Sequence, residues 1–146
     1  MKKLIMLFVF TLVSGLNFTS CTSDNESSSS SSSIVGKWNF SKFTTTVSGV
    51  TSPEMDWADN EPGCPKNYVE FKTDGVFNGA SYSGSTCVLD ISSGTWVQSG
   101  STVTLTLGTE VTTFQVVSVT SSTLKIKTTE TDSGVTYTLN VTFTKA

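Results

Sequence analysis

The feature that most constrains the fold is the alternation of apolar and polar residues, with a period of two, from Ile34 onward. It is clearest near the C-terminus, where Val135, Tyr137 and Leu139 alternate with threonines, and again over residues 102–107. This period is typical of antiparallel strands with one buried and one solvated face. Threonine suits the outer face because it is both β-branched and polar. No stretch shows a helical stripe, so the pattern predicts an all-β domain.

Turn signals rich in glycine, serine and aspartate interrupt the alternation at regular intervals, and Thr73-Asp74-Gly75 is the tightest of them. The predicted strands are 35–47, 67–72, 76–82, 86–97, 102–107, 111–119, 123–130 and 134–144. Eight strands joined mostly by short hairpins favour an antiparallel up-and-down barrel, because closure removes exposed strand edges. A two-sheet sandwich of the same strands is the alternative, and spacing alone does not separate the two.

Composition narrows the classes of function. The 146 residues include no histidine, all nine basic residues are lysine, and the net charge is −3. A Ser-His-Asp triad and a histidine-ligated metal site are therefore excluded. An acidic chain is also poorly suited to contact phosphates. We expect a protein that is not an enzyme and has no metal, no cofactor and no nucleic-acid partner.

The N-terminus reads as an export signal and not as part of the fold. Lys2 and Lys3 precede an apolar run over residues 4–16, which is too short for a membrane span but suits a secretory signal. Small residues then lead to Cys21, and a run of serines, Ser27–Ser33, follows. Such a polar stretch has too little apolar surface to fold, so it predicts a disordered, flexible tether.

Phe18-Thr19-Ser20-Cys21 resembles the lipobox of bacterial lipoproteins, in which the cysteine is lipidated before cleavage. The first two residues depart from the usual leucine and small residue, as relaxed lipoboxes do. The resemblance implies a signal peptide over 1–20, a membrane anchor of acyl chains on Cys21 and a linker over 21–33. Two acidic residues after the cysteine resemble a surface-export signal. We therefore expect the outer membrane of a Gram-negative bacterium, with its surface face left open; a secreted protein with a stray cysteine is the alternative.

The mature domain, residues 34–146, opens with Gly36-x-Trp38 in its first predicted strand. Further pieces are 68–77, Gly94-Thr95-Trp96, 124–127 and 137–143. In order and spacing these resemble the short lipocalin-like domains of bacterial surface lipoproteins. The resemblance implies an eight-stranded calyx with Gly36 and Trp38 at its closed end. Lipocalins usually place an arginine over that tryptophan; this chain has none, and Lys145 is the expected substitute, without planar stacking.

Cys64 and Cys87 are the remaining cysteines, and in an exported protein we predict that they form a structural disulfide. A redox pair is the alternative, although the Cys-x-x-Cys spacing is absent. The bond would hold the long loop 48–66, which contains Trp57 and four acidic residues. Long loops in compact domains tend to be functional. Calcium binding and stacking of Trp57 on a sugar are conceivable there, but a solvated acidic loop is the preferred interpretation.

Large aromatic residues on the predicted inner phase are candidates to line a ligand cavity. They are Phe40, Phe71, Phe77, Trp96, Phe114 and Tyr137. An eight-stranded barrel either is filled by side chains or holds one small ligand, and the sequence leaves both open. We expect a monomeric, membrane-anchored lipoprotein that binds a small hydrophobic ligand in the barrel. The alternative is a structural or interaction module with a filled barrel, which binds a protein or glycan through the 48–66 loop or the outer face.

Overall fold

The computed structural model describes residues 33–146. The predicted signal peptide 1–20, the lipidation of Cys21 and the linker as far as residue 32 lie outside the described residues. The strands are β1 (Gly36–Val47), β2 (Val50–Thr51), β3 (Met55–Asp56), β4 (Tyr68–Phe71), β5 (Val76–Ser83), β6 (Val88–Ser99), β7 (Thr102–Leu107), β8 (Glu110–Val119), β9 (Thr123–Asp132) and β10 (Val135–Lys145). Among residues 33–146 no helix is long and apolar enough to span a membrane.

The strands form a single antiparallel sheet that closes on itself. From β4 to β10 each strand pairs with the next along the chain, and β1 pairs with both β4 and β10. The two short strands β2 and β3 add to β1 within the 48–66 loop. The eight-stranded up-and-down barrel predicted from the alternation is confirmed, and the alternative sandwich is wrong. The eight predicted strands correspond to β1 and β4 to β10.

Individual residues explain one tight turn and one close contact between strands in the barrel wall. At the predicted Thr73-Asp74-Gly75 hairpin, the Asp74 carboxylate accepts a hydrogen bond of 3.0 Å from the backbone N–H of Val76. Gly94 in β6 lies against the neighbouring strand, and a Cβ atom there would collide with the backbone carbonyl oxygen of Thr106. Because the backbone cannot move aside as a flexible side chain can, only glycine fits where β6 approaches β7 this closely.

The core occupies one half of the barrel, at the closed end, where β1 begins at Gly36 and β10 ends at Lys145. Its buried cluster consists of Ile34, Trp38, Val69, Phe71, Phe77, Val103, Leu105, Phe114, Leu124, Ile126, Val141 and Phe143. At the opposite, open end, β1 ends at Val47 and β10 begins at Val135. Every member of the buried cluster is apolar, so burial of this half is the main source of stability.

Two neighbouring strands pair over only part of their length. The β8–β9 ladder runs from the pair Val119–Leu124 to the pair Gln115–Lys127 and ends there. In the described chain the segments 110–114 and 128–132 are therefore paired only with β7 and β10, on their other sides. The wall of the barrel is closed in the half that holds the core, and β8 and β9 part in the open half.

Candidate functional site

The closed end is sealed by the residues of the Gly36-x-Trp38 motif. Trp38 is 1% exposed, and its indole N–H donates a hydrogen bond of 2.7 Å to the carbonyl oxygen of Ile34. The ammonium of Lys145 lies 4.1 Å from the centre of the Trp38 ring and donates to the carbonyl oxygen of Val35. Gly36 has φ +126°, and a Cβ there would collide with the Lys145 ammonium. The expected substitution of lysine for arginine over Trp38 is confirmed.

A packed group of aromatic rings lies directly above this seal. The ring of Phe71 is 5.4 Å from those of Phe77 and Trp96 and 6.2 Å from that of Phe114. Phe71, Phe77 and Phe114 are buried, whereas Trp96 is half-buried, and its indole N–H donates to the carbonyl oxygen of Lys72. Tilted and edge-to-face contacts of this kind are favourable arrangements of aromatic rings. These residues form the floor beneath the open half.

A second aromatic group includes Trp57, which the sequence analysis treated as part of a solvated loop. Its ring stacks on Phe40 at 4.5 Å and meets the edge of Phe43 at 5.7 Å. The cause is β3, whose pairing with β1 continues as a 2.9 Å hydrogen bond from the Trp57 N–H to the Ser41 carbonyl and turns the indole inward. The interpretation of Trp57 as solvated was wrong. The alternation of Met55 and Trp57 with acidic residues was the signal that could have shown it.

Cross-strand register identifies which side chains face the interior of the open half, because directly opposed residues share a face. On β1 and β10, Val47 opposes Tyr137, and these side chains are 39% and 44% exposed. Phe43 and Leu139 lie on the same face nearer the floor. This side of the open half is an apolar wall with solvent-accessible aliphatic and aromatic groups.

The opposite side of the open half is polar. On β5 and β6, Ser81 opposes Asp90 and Gly79 opposes Ser92, on the face that also carries Phe77. On β8, Glu110 is on the face of Phe114 and is exposed. The inward-facing side chains of β6 here are exposed, so the open half is not filled by the protein's own side chains. We call the interior of this half the calyx.

The six aromatic candidates thus occupy different levels of the barrel. Phe71, Phe77 and Phe114 belong to the buried floor, and Phe40 is half-buried beside it. Trp96 is half-buried at the closed end, where its indole and backbone N–H groups donate to carbonyls of the turn between β4 and β5. Tyr137 stands on the apolar wall near the open end. That these residues contact a bound ligand remains a prediction. The alternative expectation, an interior filled by the protein's own side chains, applies to the closed half of the barrel only.

The 48–66 loop is held to the barrel by a network of hydrogen bonds that no pattern in the sequence had indicated. Asn67 is 5% exposed; its side chain accepts a 2.8 Å hydrogen bond from the N–H of Tyr82 and donates a 2.7 Å bond to the carbonyl of Asp59. Its own N–H donates to the side chain of Asn60, which in turn donates to the carbonyl of Phe40. Asn67 therefore ties the loop to both β1 and β5.

The predicted disulfide between Cys64 and Cys87 is present. It joins the loop to the turn between β5 and β6 at the open end. Together with Asn67 it fixes the part of the wall where β4 is too short to fill the space between β1 and β5.

Two of the four acidic residues of the loop, Glu54 and Asp56, lie on the outside of the barrel. Lys42 forms ion pairs with Glu54 at 3.4 Å and with Asp56 at 3.9 Å. Within residues 33–146 no three acidic or cysteine side chains come together as metal ligands.

A shallow cleft of about 280 Å³ lies where β8 and β9 part. Its lining residues are Thr102, Thr113, Phe114, Gln115, Lys127, Thr128 and Thr129. Most of them carry hydroxyl, amide or ammonium groups, so this cleft is polar and differs in character from the calyx.

The sequence and the fold both define a lipocalin-like protein. The family model described as a lipocalin-like domain matches residues 34–126, and this chain belongs to that family. No curated protein is significantly similar to it in sequence. The lipocalin-like fold is typically one that binds small hydrophobic ligands and not one that catalyses reactions.

Among the solved structures that resemble the chain are two crystal structures of Bacteroides proteins. One is a lipocalin-like protein from Bacteroides uniformis, with TM-score 0.52 and 16% identity, covering 77% of this chain and 98% of that one. The other is an uncharacterized protein from Bacteroides eggerthii, with TM-score 0.51 and 13% identity, covering 78% of this chain and 100% of that one. At these identities the likeness concerns the fold.

Proposed function

We propose that this chain is a membrane-anchored, non-catalytic lipocalin-like lipoprotein whose calyx binds one small hydrophobic ligand. The observation that carries the proposal is the inner face of the open half. Exposed apolar side chains such as Val47 and Tyr137 stand there above a packed aromatic floor. A concave, mostly apolar site with a few polar groups is the usual form of a small-molecule site. The filled-platform alternative is not favoured, since the filling stops at the floor.

The anchor is supported by the resemblance of residues 18–21 to a lipobox and by the serine tether that follows. Ile34, the first residue after the tether, is buried in the core. The tether therefore joins the barrel at its closed end, and the calyx opens at the other. In a Gram-negative host, metabolic labelling with palmitate should place label on the wild-type chain in the membrane fraction and none on a Cys21→Ser variant. Equal labelling of both would contradict the anchor.

Ligand binding is tested with the exported Cys21→Ser chain and the neutral fluorescent hydrophobe N-phenyl-1-naphthylamine. We expect saturable binding of one probe per chain. Ser92→Trp places an indole on the inner face of β6 and should abolish binding by filling the calyx. Thr95→Trp, on the outer face of the same strand, is the matched control and should leave binding unchanged. Unsaturable binding, or equal loss in both variants, would overturn the proposal.

A further inference from the structure

We propose that the calyx selects cationic amphiphiles, that is, molecules with an apolar body and an ammonium group, over the carboxylates of fatty acids. This inference rests on the proposed function and specifies the ligand class of the same site. The site is the calyx itself, and the charges on its wall determine which end groups it accepts.

Carboxylates lie on the inner face of three different strands in the open half. Asp90 opposes Ser81 on β5, Glu110 opposes Leu107 on β7, and Glu130 opposes Tyr137 on β10. Asp90 is in phase with Gly94, which opposes the buried Phe77. Glu110 is in phase with the buried Phe114 on β8, and Glu130 is in phase with the buried Ile126 on β9.

None of the lysines in the strands of residues 33–146 lies on the inner face of the open half. Lys42 lies on the outer face, opposite Thr142 and Asp56, and Lys127 lies on the outer face opposite Asn140 and Gln115. Lys145 is on the inner side but belongs to the seal at the closed end. An anionic end group entering the calyx would meet like charges on the inner faces of the strands, which disfavours binding.

The asymmetry extends over the whole barrel. Of the carboxylates in the described chain, only Glu70 and Asp74 lie at the closed end, on the last residues of β4 and in the turn after it. Lys37, Lys125 and Lys145 lie at that end as well. A concave opening lined by one sign of charge concentrates counter-ions of the opposite sign, so the open end attracts cations.

The pair Glu130 and Tyr137 shows how a cation would be held. They are directly opposed on β9 and β10, on the inner face, and the Tyr137 ring is accessible. Opposed residues in antiparallel strands have Cβ atoms about 5 Å apart. An ammonium group between them has a carboxylate on one side and an aromatic face on the other, and both attract it. Its apolar chain can then lie along Leu139 and Phe43, the inward-facing residues between Tyr137 and the floor.

The experiment compares three ligands with the same ten-carbon chain: decyltrimethylammonium, decanoate and decan-1-ol. Each competes with N-phenyl-1-naphthylamine for the Cys21→Ser chain, below its micellar concentration and at low salt. We expect the cation to bind about tenfold more tightly than decanoate, with decanol between them. Decanoate binding as tightly as the cation would overturn the inference while the proposed function stands. Failure of all three to displace the probe would overturn the proposed function itself.

Two double variants with the same change in charge locate the selectivity. Glu110→Gln with Glu130→Gln removes two inner-face carboxylates and should bring the cation-to-decanoate ratio to about threefold or less, with decanol unaffected. Glu54→Gln with Asp56→Asn removes the two that pair with Lys42 on the outside and should leave the ratio unchanged. An equal fall in both would assign the preference to net charge and refute the role of the calyx.

Discussion

The backbone of Trp38 pairs with that of Lys145 in the barrel, and the Lys145 ammonium also covers the Trp38 ring. The first and last strands of the barrel thus meet at the same point in two ways, through the ladder and through a cation–π contact. The indole that it covers is only 1% accessible. The contact is therefore part of the seal of the closed end and contributes to the stability of the barrel.

We expect Lys145→Ala to lower the free energy of unfolding by about 1–2 kcal/mol, because it loses the cation–π contact and the packing of the lysine stem on Trp38. Lys145→Arg should retain stability, since guanidinium stacks on indole. Urea unfolding followed by tryptophan fluorescence measures both. If the urea midpoint of the Lys145→Ala variant equals that of the wild-type protein, the contact contributes nothing to stability.

Asn67→Ala should cost about 2–3 kcal/mol, because it leaves the N–H of Tyr82 and the carbonyl of Asp59 without their partners in a buried place. Asn140→Ala is the control, since that amide is only half-buried and donates one longer hydrogen bond, of 3.3 Å, to Thr44. Its effect should stay below about 1 kcal/mol. Equal losses in the two variants would argue against a special role for Asn67. Urea midpoints and amide exchange of Tyr82 are the readouts.

Gly94→Ala should destabilise the barrel by more than about 2 kcal/mol, because the new methyl group meets the backbone carbonyl of Thr106. Gly79→Ala is the matched control on the same inner face, where the nearest atoms belong to the Phe77 ring at 3.6 Å, an ordinary contact. We expect it to change stability by less than about 0.5 kcal/mol. Thermal unfolding of both proteins decides the point, and a tolerated Gly94→Ala would show that β7 can shift.

Loss of the disulfide in Cys64→Ser with Cys87→Ser should lower stability by about 3 kcal/mol in the chain-entropy model. Dithiothreitol should lower the urea midpoint of the wild-type chain to that of the double variant. It should leave the midpoint of the double variant unchanged. Insensitivity of the wild type to reductant, with the bond shown to be broken by mass spectrometry, would contradict a stabilising role.

The fold could be predicted because its main determinants are local. Period-two alternation and turn residues specify the eight strands, and the pairing of first and last strands follows from closure. The sealing residues could be identified from the sequence because Gly36 and Trp38 form a Gly-x-Trp motif and Lys145 is a basic residue late in the chain. Asn67 was not, since its role depends on Asp59, Asn60 and Tyr82, which only the folded loop brings together.

The period-two alternation already implied that the inner-face carboxylates point inward, but they were not among the residues predicted to line the cavity. Glu130 continues the phase of Leu124 and Ile126 along β9, so its inward direction could have been stated from the sequence. The parting of β8 from β9 could not. The gap begins beyond the pair Gln115–Lys127, close to a register shift between Val116 and Ser118. No pattern of residue types in the sequence predicts where this ladder ends.

The unpaired stretch between β8 and β9 determines how the calyx responds to the size of its contents. A complete ladder fixes the circumference of a barrel, because widening it would break hydrogen bonds. Here no ladder joins β8 to β9 beyond Gln115 and Lys127, and none joins β6 to β7 beyond Thr95 and Thr106. In the open half β9, β10 and β1 therefore form one group of paired strands, and β5 and β6 form another. These two groups are joined at the open end by the Cys64–Cys87 bond and the Asn67 network. Widening the opening along these lines breaks no ladder hydrogen bonds, so we expect its diameter to vary with the thickness of the molecule that it holds.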